Sequence, residues 1–209
     1  MIASGCGSLS PFAEPLEWPS LPLGLERTQE PAAAVPPAST PHVIADFNRP
    51  GHRTNDDLPY GAWNSDPGDA TQSCRIRLVD TERMGAEGFG LMIEYDVESP
   101  NPAYNGFWLK LPNVPVAAFD ALSVSIKGDA QRGFTRRLRL ELKDRAHVAR
   151  FQLDGLEAQW KRLRVPLRAF DGIEAIHSAT EFVIVFDEET VTEKTGTVYL
   201  DDLMFEPAL

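Results

Sequence analysis

The chain has 209 residues, with 31 acidic and 20 basic side chains, a formal net charge of -11 and 43% hydrophobic residues. This composition is that of an ordinary globular protein, and no run approaches the roughly 18 apolar residues that a membrane-spanning helix requires. The acidic balance argues against a nucleic-acid partner, which clustered Lys and Arg would bind, and two cysteines are too few for a disulfide-rich miniprotein.

The first six residues resemble the end of a bacterial lipoprotein signal segment, because small residues stand directly before Cys6. Residues 1–6 are then the remnant of that segment, with Cys6 as the lipidated residue. This interpretation predicts a lipid-anchored, extracytoplasmic protein in the periplasm or at the cell surface of a bacterium. The alternative is an incidental cysteine in a flexible terminus.

Residues 7–41 are rich in proline, with eight of the 17 prolines falling before residue 42. Proline fixes φ and removes a backbone donor, so this stretch can form neither a regular helix nor a sheet ladder. We therefore predict a disordered, semi-rigid linker that gives the following domain reach.

From His42 onward the dominant period is two, which predicts half-buried strands. About ten short strands separated by turns indicate one all-β domain over residues 42–209, an antiparallel two-sheet sandwich of jelly-roll type. Pro166 predicts an edge or a bulge in its strand. The strands with the clearest pattern are 43–47, 74–79, 91–97, 107–111, 122–127, 137–143, 163–167, 182–186 and 198–205.

Several stretches together resemble the galactose-binding-like jelly rolls, in particular family 11 carbohydrate-binding modules and the complex I intermediate-associated protein 30 family. The likeness covers residues 44–205 and rests on short motifs spread along the domain. These are Asp46-Phe47-Asn48, residues 101–108, residues 122–129, Gln159-Trp160-Lys161 with Val165-Pro166-Leu167, and residues 196–203.

The resemblance implies a glycan site on the concave sheet, where aromatic rings stack on sugars beside groups that hydrogen-bond hydroxyls. Period-two alternation places Arg137, Arg139 and Glu141 on one face of their strand. It also places Trp108 on the polar face of its own strand. The alternative is that a loop covers Trp108 and that the alternating Arg and Glu side chains of an exposed strand form cross-strand ion pairs without any ligand. Trp63 is expected in a loop, as a rim contact. The candidate ligand-binding residues are Trp108, Tyr104, Arg137, Arg139, Glu141, Arg150 and Gln152.

The resemblance also implies a structural calcium ion that ties the first and last strands together. Asp46 near the start, and Asp201 or Asp202 at the end, supply the oxygen ligands that calcium prefers. In an alternating strand only one of the two adjacent aspartates can point inward. The alternative is that both carboxylates are solvated at a strand end.

A catalytic alternative rests on Glu94, Asp96 and Glu98, which have the spacing by which some jelly-roll glycanases place three carboxylates on one strand face. The residues Ser99-Pro100-Asn101-Pro102 end that strand at once, and the four histidines show no metal-ligand spacing. We therefore expect a protein that is not an enzyme.

Two binding hypotheses remain. The first is a noncatalytic, lipid-anchored module that binds a polysaccharide or oligosaccharide. The second is a protein-interaction or assembly-factor domain of the intermediate-associated protein 30 type. Glycan binding should depend on Trp108 and Tyr104 and tolerate salt, whereas a protein partner held by arginines should dissociate as ionic strength rises.

Overall fold

A computed structural model describes residues 35–208, which form two antiparallel sheets and contain no α-helix. Cys6, most of the predicted linker and the final Leu209 lie outside the described residues. Within the described range no helix is long and apolar enough to cross a membrane. The strands are β1 His42–Ala45, β2 Tyr60–Asn64, β3 Ser73–Val79, β4 Gly90–Asp96, β5 Tyr104–Pro115, β6 Ala121–Gly128, β7 Arg137–Lys143, β8 Val148–Asp154, β9 Lys161–Pro166, β10 Ser178–Asp187 and β11 Thr195–Glu206.

The strands pack as a sandwich, which confirms the predicted fold class. The first sheet has the order β3-β4-β11-β6-β9, with β1 also paired to β11, and the second has the order β2-β5-β10-β7-β8. Burial of the inward side chains of both sheets drives the packing. Across this core the rings of Tyr95 and Phe186 stack at 4.0 Å between centroids, and Phe107, Phe182 and Phe205 are fully buried.

The structure contains two strands that the sequence pattern did not predict. β2 and β8 both lie at edges of the second sheet, and neither was among the strands predicted from the alternation. Trp63, expected in a loop, lies within β2 and is held by its pairing with β5. Pro166 ends β9, an edge strand of the first sheet, where a missing backbone donor costs no ladder bond.

The described part of the predicted linker contacts the domain. The backbone N–H of Ala38 donates to the carbonyl oxygen of Ala118 at 2.8 Å, and β1 begins four residues later at His42. Residues 35–41 therefore lie partly against the sandwich rather than forming free spacer.

Candidate functional site

The register of the second sheet brings all seven candidate ligand-binding residues to one outward face. Across the five strands, Gly61, Trp108, Val183, Glu141 and Arg150 are direct neighbours in one row. Because side chains alternate along a strand, the residues two positions away share that face. The next row holds Trp63, Gly106, Val185, Arg139 and Gln152, and beyond it Tyr104 pairs with Asp187 and Arg137 with Asp154.

A cleft of about 480 Å³ opens on this face, over β2, β5, β10 and the end of β7 at Lys143. Trp63 and Tyr104 meet edge to face, with ring centroids 5.7 Å apart, and 47% of Tyr104 is exposed. Two of the seven candidates, Tyr104 and Trp108, line the cleft, while the other five lie beside it on β7 and β8. The complete lining is Trp63, Tyr104, Trp108, Lys110, Lys143, Glu181 and Val183.

Charged groups border the aromatic part of the cleft. The ammonium group of Lys110 lies 5.6 Å from the centroid of the Trp108 ring and is paired with the Glu181 carboxylate. Val183, although it points outward, is only 1% exposed and forms an apolar floor between these side chains. The cleft thus combines flat apolar rings with hydrogen-bonding groups of both charges.

Beside the cleft, the carboxylate of Glu141 is the centre of an ion-pair cluster. Its side chain is 7% exposed, and its oxygens lie 2.9 Å from Arg139 Nε, 3.0 Å from Lys143 Nζ and 3.5 Å from Arg150 Nε. Arg139 also reaches Asp187 at 3.4 Å. The ion pairing that the sequence left as an alternative is therefore present, and it occupies most of the planar groups expected to bind a ligand.

The remaining candidates keep more freedom at the rim. Arg137 pairs with the exposed Asp154, and both side chains are about half accessible. The amide Nε2 of Gln152 donates to the carbonyl oxygen of Leu138 at 3.1 Å. The Arg150 side chain is 57% exposed, so its guanidinium is the most accessible of the charges around Glu141.

A loop network fixes the end of the cleft at Tyr104. The Asp69 carboxylate accepts hydrogen bonds from the hydroxyls of Thr71 at 2.6 Å and Ser99 at 2.7 Å, and these bonds hold the pKa of Asp69 well below its usual range. The neighbouring Ser65 N–H donates to the Tyr104 carbonyl at 3.0 Å. The loop after β2 is thereby tied to β5, which fixes the relative position of the two aromatic strands.

Two predicted calcium ligands, Asp201 and Asp202, lie on β11 of the first sheet, and Asp46 directly follows β1. β1 pairs with β11, which brings the first and last strands together. Asp201 is 3% exposed and accepts hydrogen bonds from the N–H groups of Met84 and Asp202, both at 2.8 Å. Burial, and then the charges of Asp202 and Asp46, raise the pKa of Asp201 to about 6.

This donor set fits calcium in part. A buried carboxylate near two others gains from a cation, yet residues 35–208 contain no cluster of three or more His, Cys, Asp or Glu side chains arranged to hold a metal. A calcium ion at Asp201 would therefore need backbone carbonyl or water oxygens as further ligands. The calcium site stays a prediction.

The carboxylates of the catalytic alternative lie away from the cleft. Glu94 and Asp96 are on β4 of the first sheet, whereas Glu98 follows the end of that strand. Glu94 is paired with Arg132 at 2.8 Å, and Asp96 accepts the backbone N–H of Glu98 at 2.9 Å. These contacts use the carboxylates within the chain, so nothing in this arrangement favours a glycoside hydrolase.

Comparisons with known proteins identify the fold. No protein-family model matches the sequence, and no curated protein matches it. The structure is similar to the family 11 carbohydrate-binding module of a cellulosomal cellulase of Clostridium thermocellum, with TM-score 0.61 and 15% identity over 82% of this chain and 97% of that one. A family 11 module from Clostridium thermocellum in complex with a β-1,3-1,4-mixed-linked tetrasaccharide gives the same TM-score and identity, over 82% and 98% of the two chains.

A partial similarity extends to a larger protein. An exo-β-agarase matches with TM-score 0.55 and 13% identity, over 80% of this chain but 25% of the agarase. At such identities the comparisons establish the architecture, which is the β-sandwich of family 11 carbohydrate-binding modules.

Proposed function

We propose that this protein is a noncatalytic carbohydrate-binding module that holds a polysaccharide or oligosaccharide in the cleft of the second sheet. The observation that carries the proposal is the lining of that cleft, where Trp63, Tyr104 and Trp108 stand beside two lysines and a glutamate. Aromatic faces pack on the C–H face of a pyranose, and charged side chains hydrogen-bond its hydroxyls strongly.

The fold supports the same proposal. One of the similar structures is a family 11 module in complex with a mixed-linked tetrasaccharide, and this chain has a cleft of about 480 Å³, a volume typical of small-ligand sites. The fixed loop at Tyr104 means that little ordering entropy is lost when a ligand binds.

The test is a binding screen of the whole chain against soluble polysaccharides, including mixed-linked β-glucan and xylan, by affinity gel electrophoresis and titration calorimetry. We expect one of them to retard the wild-type protein, and Trp108→Ala to weaken that binding by about a hundredfold, the effect of removing a central aromatic anchor. A circular dichroism spectrum and a thermal melt establish that the variant is folded.

The dependence of binding on salt distinguishes a carbohydrate-binding module from a protein-interaction domain. Glycan binding held by stacking and hydrogen bonds should change little when NaCl rises from 50 to 500 mM. Failure of the folded wild-type protein to bind any glycan of the panel would contradict the proposal and favour the protein-interaction domain.

We also propose that Cys6 is lipidated and that the protein is held outside the cytoplasm of a bacterium. The support is the run of small residues before Cys6 and the proline-rich stretch after it. Expression of the natural gene in bacteria fed labelled palmitate tests this, with Cys6→Ser expected to abolish labelling. Cys74→Ser is the matched control, since Cys74 is a buried cysteine of β3; label that follows Cys74 instead would contradict the proposal.

A further inference from the structure

The two tryptophans of the cleft lie opposite glycines. Trp108 on β5 is the direct neighbour of Gly61 on β2, and Trp63 on β2 is the direct neighbour of Gly106 on β5. Each strand therefore contributes one tryptophan and one glycine, and each tryptophan lies opposite the glycine of the other strand in neighbouring rows. Glycine inside a strand weakens it and commonly marks a place where another group approaches closely.

At Gly61 the approaching group is the indole of Trp108. A Cβ added to residue 61 would stand 2.9 Å from Cζ2 of Trp108 and 3.1 Å from both Cε2 and Nε1. Carbon atoms in contact are normally about 3.5 to 4.0 Å apart. The Nε1 edge of the indole therefore fills the space that any side chain at position 61 would need.

Gly106 has a different reason to be glycine. A Cβ there would also approach Trp63 Nε1, at 3.2 Å, but its nearest neighbour would be the carbonyl oxygen of Ile184 on β10. Backbone atoms cannot move aside without breaking the ladder, so Gly106 is fixed by the sheet itself. Gly61, in contrast, faces a side chain that can rotate, and this makes position 61 a control point for the cleft.

We infer that Gly61 is a positioning residue of the proposed glycan site, which acts through the Trp108 indole. The absence of a side chain at position 61 gives the Trp108 indole room to lie against β2, and this keeps the cleft open to a pyranose ring. A side chain at position 61 would push the indole back over the cleft floor and narrow it. This inference rests on the proposed function, because it concerns the same cleft.

The experiment compares Gly61→Ala with the wild-type chain by titration calorimetry, using soluble mixed-linked β-glucan as the probe. We expect binding at least tenfold weaker in the variant and a changed indole N–H resonance of Trp108, assigned by its loss in Trp108→Phe. Gly68→Ala is the matched control, since Gly68 lies in the following loop and its Cβ would approach only the carboxylate of Asp66, at 3.2 Å. The control should bind as the wild type does.

A double-mutant cycle distinguishes positioning from a general loss of structure. A phenyl ring is shorter than an indole, so in the Trp108→Phe background the added Gly61→Ala should change binding less than twofold. The cycle also covers the case in which Gly61→Ala alone folds poorly, because the double variant has the space that the single variant lacks.

The outcomes separate the two proposals. If the wild type binds, Trp108→Ala does not, and Gly61→Ala binds as the wild type with an unchanged Trp108 resonance, the inference is wrong and the proposed function stands. An equal loss from Gly61→Ala in both backgrounds would also overturn it. A folded wild-type protein that binds no glycan would overturn the proposed function, and the inference with it.

Discussion

The outward faces of the two sheets follow the same residue alternation but differ in what covers their aromatic side chains. On the second sheet, Trp63, Tyr104 and Trp108 border an open cleft. On the first sheet, Tyr199 is 5% exposed, and its hydroxyl donates to Asp129 Oδ2 at 2.7 Å.

The side chain of Lys127 accounts for much of the cover over the aromatic rings of the first sheet. The ammonium group of Lys127 lies 5.3 Å from the ring of Tyr199 and 5.9 Å from that of Trp160, and it is bonded to the Glu82 carboxylate at 2.6 Å. Cation–π contacts of this kind stabilise the ring and occupy its face. In the cleft, Lys110 makes a similar contact with Trp108, but Tyr104 beside it stays 47% exposed, whereas Tyr199 is 5% exposed. A polar, aromatic-bearing strand face is therefore open to a ligand only where some of its rings stay accessible.

The largest expected effect is on glycan affinity, and it compares a tryptophan of the cleft on the second sheet with one beside the first sheet. Trp63→Ala should weaken glycan binding by about 2 kcal/mol, because an aromatic wall of the cleft is lost. Trp160→Ala, a matched change directly before β9 of the first sheet, should leave the affinity unchanged. Titration calorimetry measures both, and a greater loss in Trp160→Ala would move the site to the first sheet.

A smaller effect concerns the charge cluster beside the cleft. Glu141→Gln removes the buried counter-charge of Arg139, Lys143 and Arg150. We expect the free energy of unfolding to fall by about 1–2 kcal/mol, less than for a fully buried pair because the three cations reach water. Urea denaturation measures it.

The control for that cluster is Asp154→Asn on β8. Its ion pair with Arg137 is about half exposed on both sides, and the expected change is below about 0.5 kcal/mol. Equal losses in the two variants would show that burial of Glu141 contributes nothing to the cluster.

On the outward face of the first sheet, the expected effect is a pH dependence of the free energy of unfolding that arises from Asp201. Burial raises the pKa of Asp201 to about 6 in the folded state, from the ordinary 3.8. The folded protein therefore binds this proton more tightly than the unfolded chain does, and the charged carboxylate destabilises the fold increasingly as pH rises from about 4 to 6. Asp201→Asn carries no such charge, so at pH 7 it should be more stable than the wild type by about 1 kcal/mol, the relief of the charge less the loss of one accepted N–H bond. At pH 4, where the wild-type carboxyl is protonated, this advantage should disappear; urea denaturation at both pH values measures it.

Added calcium tests whether Asp201 is part of a calcium site. An ion bound at Asp201 would neutralise its charge, so millimolar calcium should raise the melting temperature of the wild type at pH 7 and leave that of Asp201→Asn unchanged. Equal melting temperatures of the wild type with calcium and with chelator would contradict the calcium site.

The smallest expected effect is at the carboxylates of β4. Glu94→Gln combined with Asp96→Asn changes the first sheet, on the side of the sandwich away from the cleft. Glycan affinity should stay within twofold of wild type, and incubation with the bound polysaccharide should release no reducing ends from either protein. Release that is lost in the double variant would establish the catalytic alternative.

Much of the fold could be predicted because alternation is local. Leu122, Val124 and Ile126 are buried on β6, as the pattern requires. Ser123 and Ser125 on the other face of the strand are buried too, which the alternation did not predict. β2 was missed because Tyr60-Gly61-Ala62-Trp63-Asn64 contains a glycine and a single cycle of alternation.

The cleft was harder to predict, because its lining depends on which strands become neighbours. Lys110 on β5 meets Glu181 on β10 and Lys143 on β7 through register over 33 to 71 residues of chain. No local spacing encodes that pairing. Trp108 and Tyr104 were found because aromatic residues on a polar strand face are conspicuous even without the partners.

The pairing of β1 with β11 places His42 directly opposite Phe205. The two ends of the sandwich are thus one strand spacing apart, about 5 Å. A few residues would suffice to join them, and new ends could be opened at Gly85, where a loop has space around it. Circular permutation, or insertion of the whole sandwich into a loop of a host protein, should therefore leave the cleft on the opposite sheet intact.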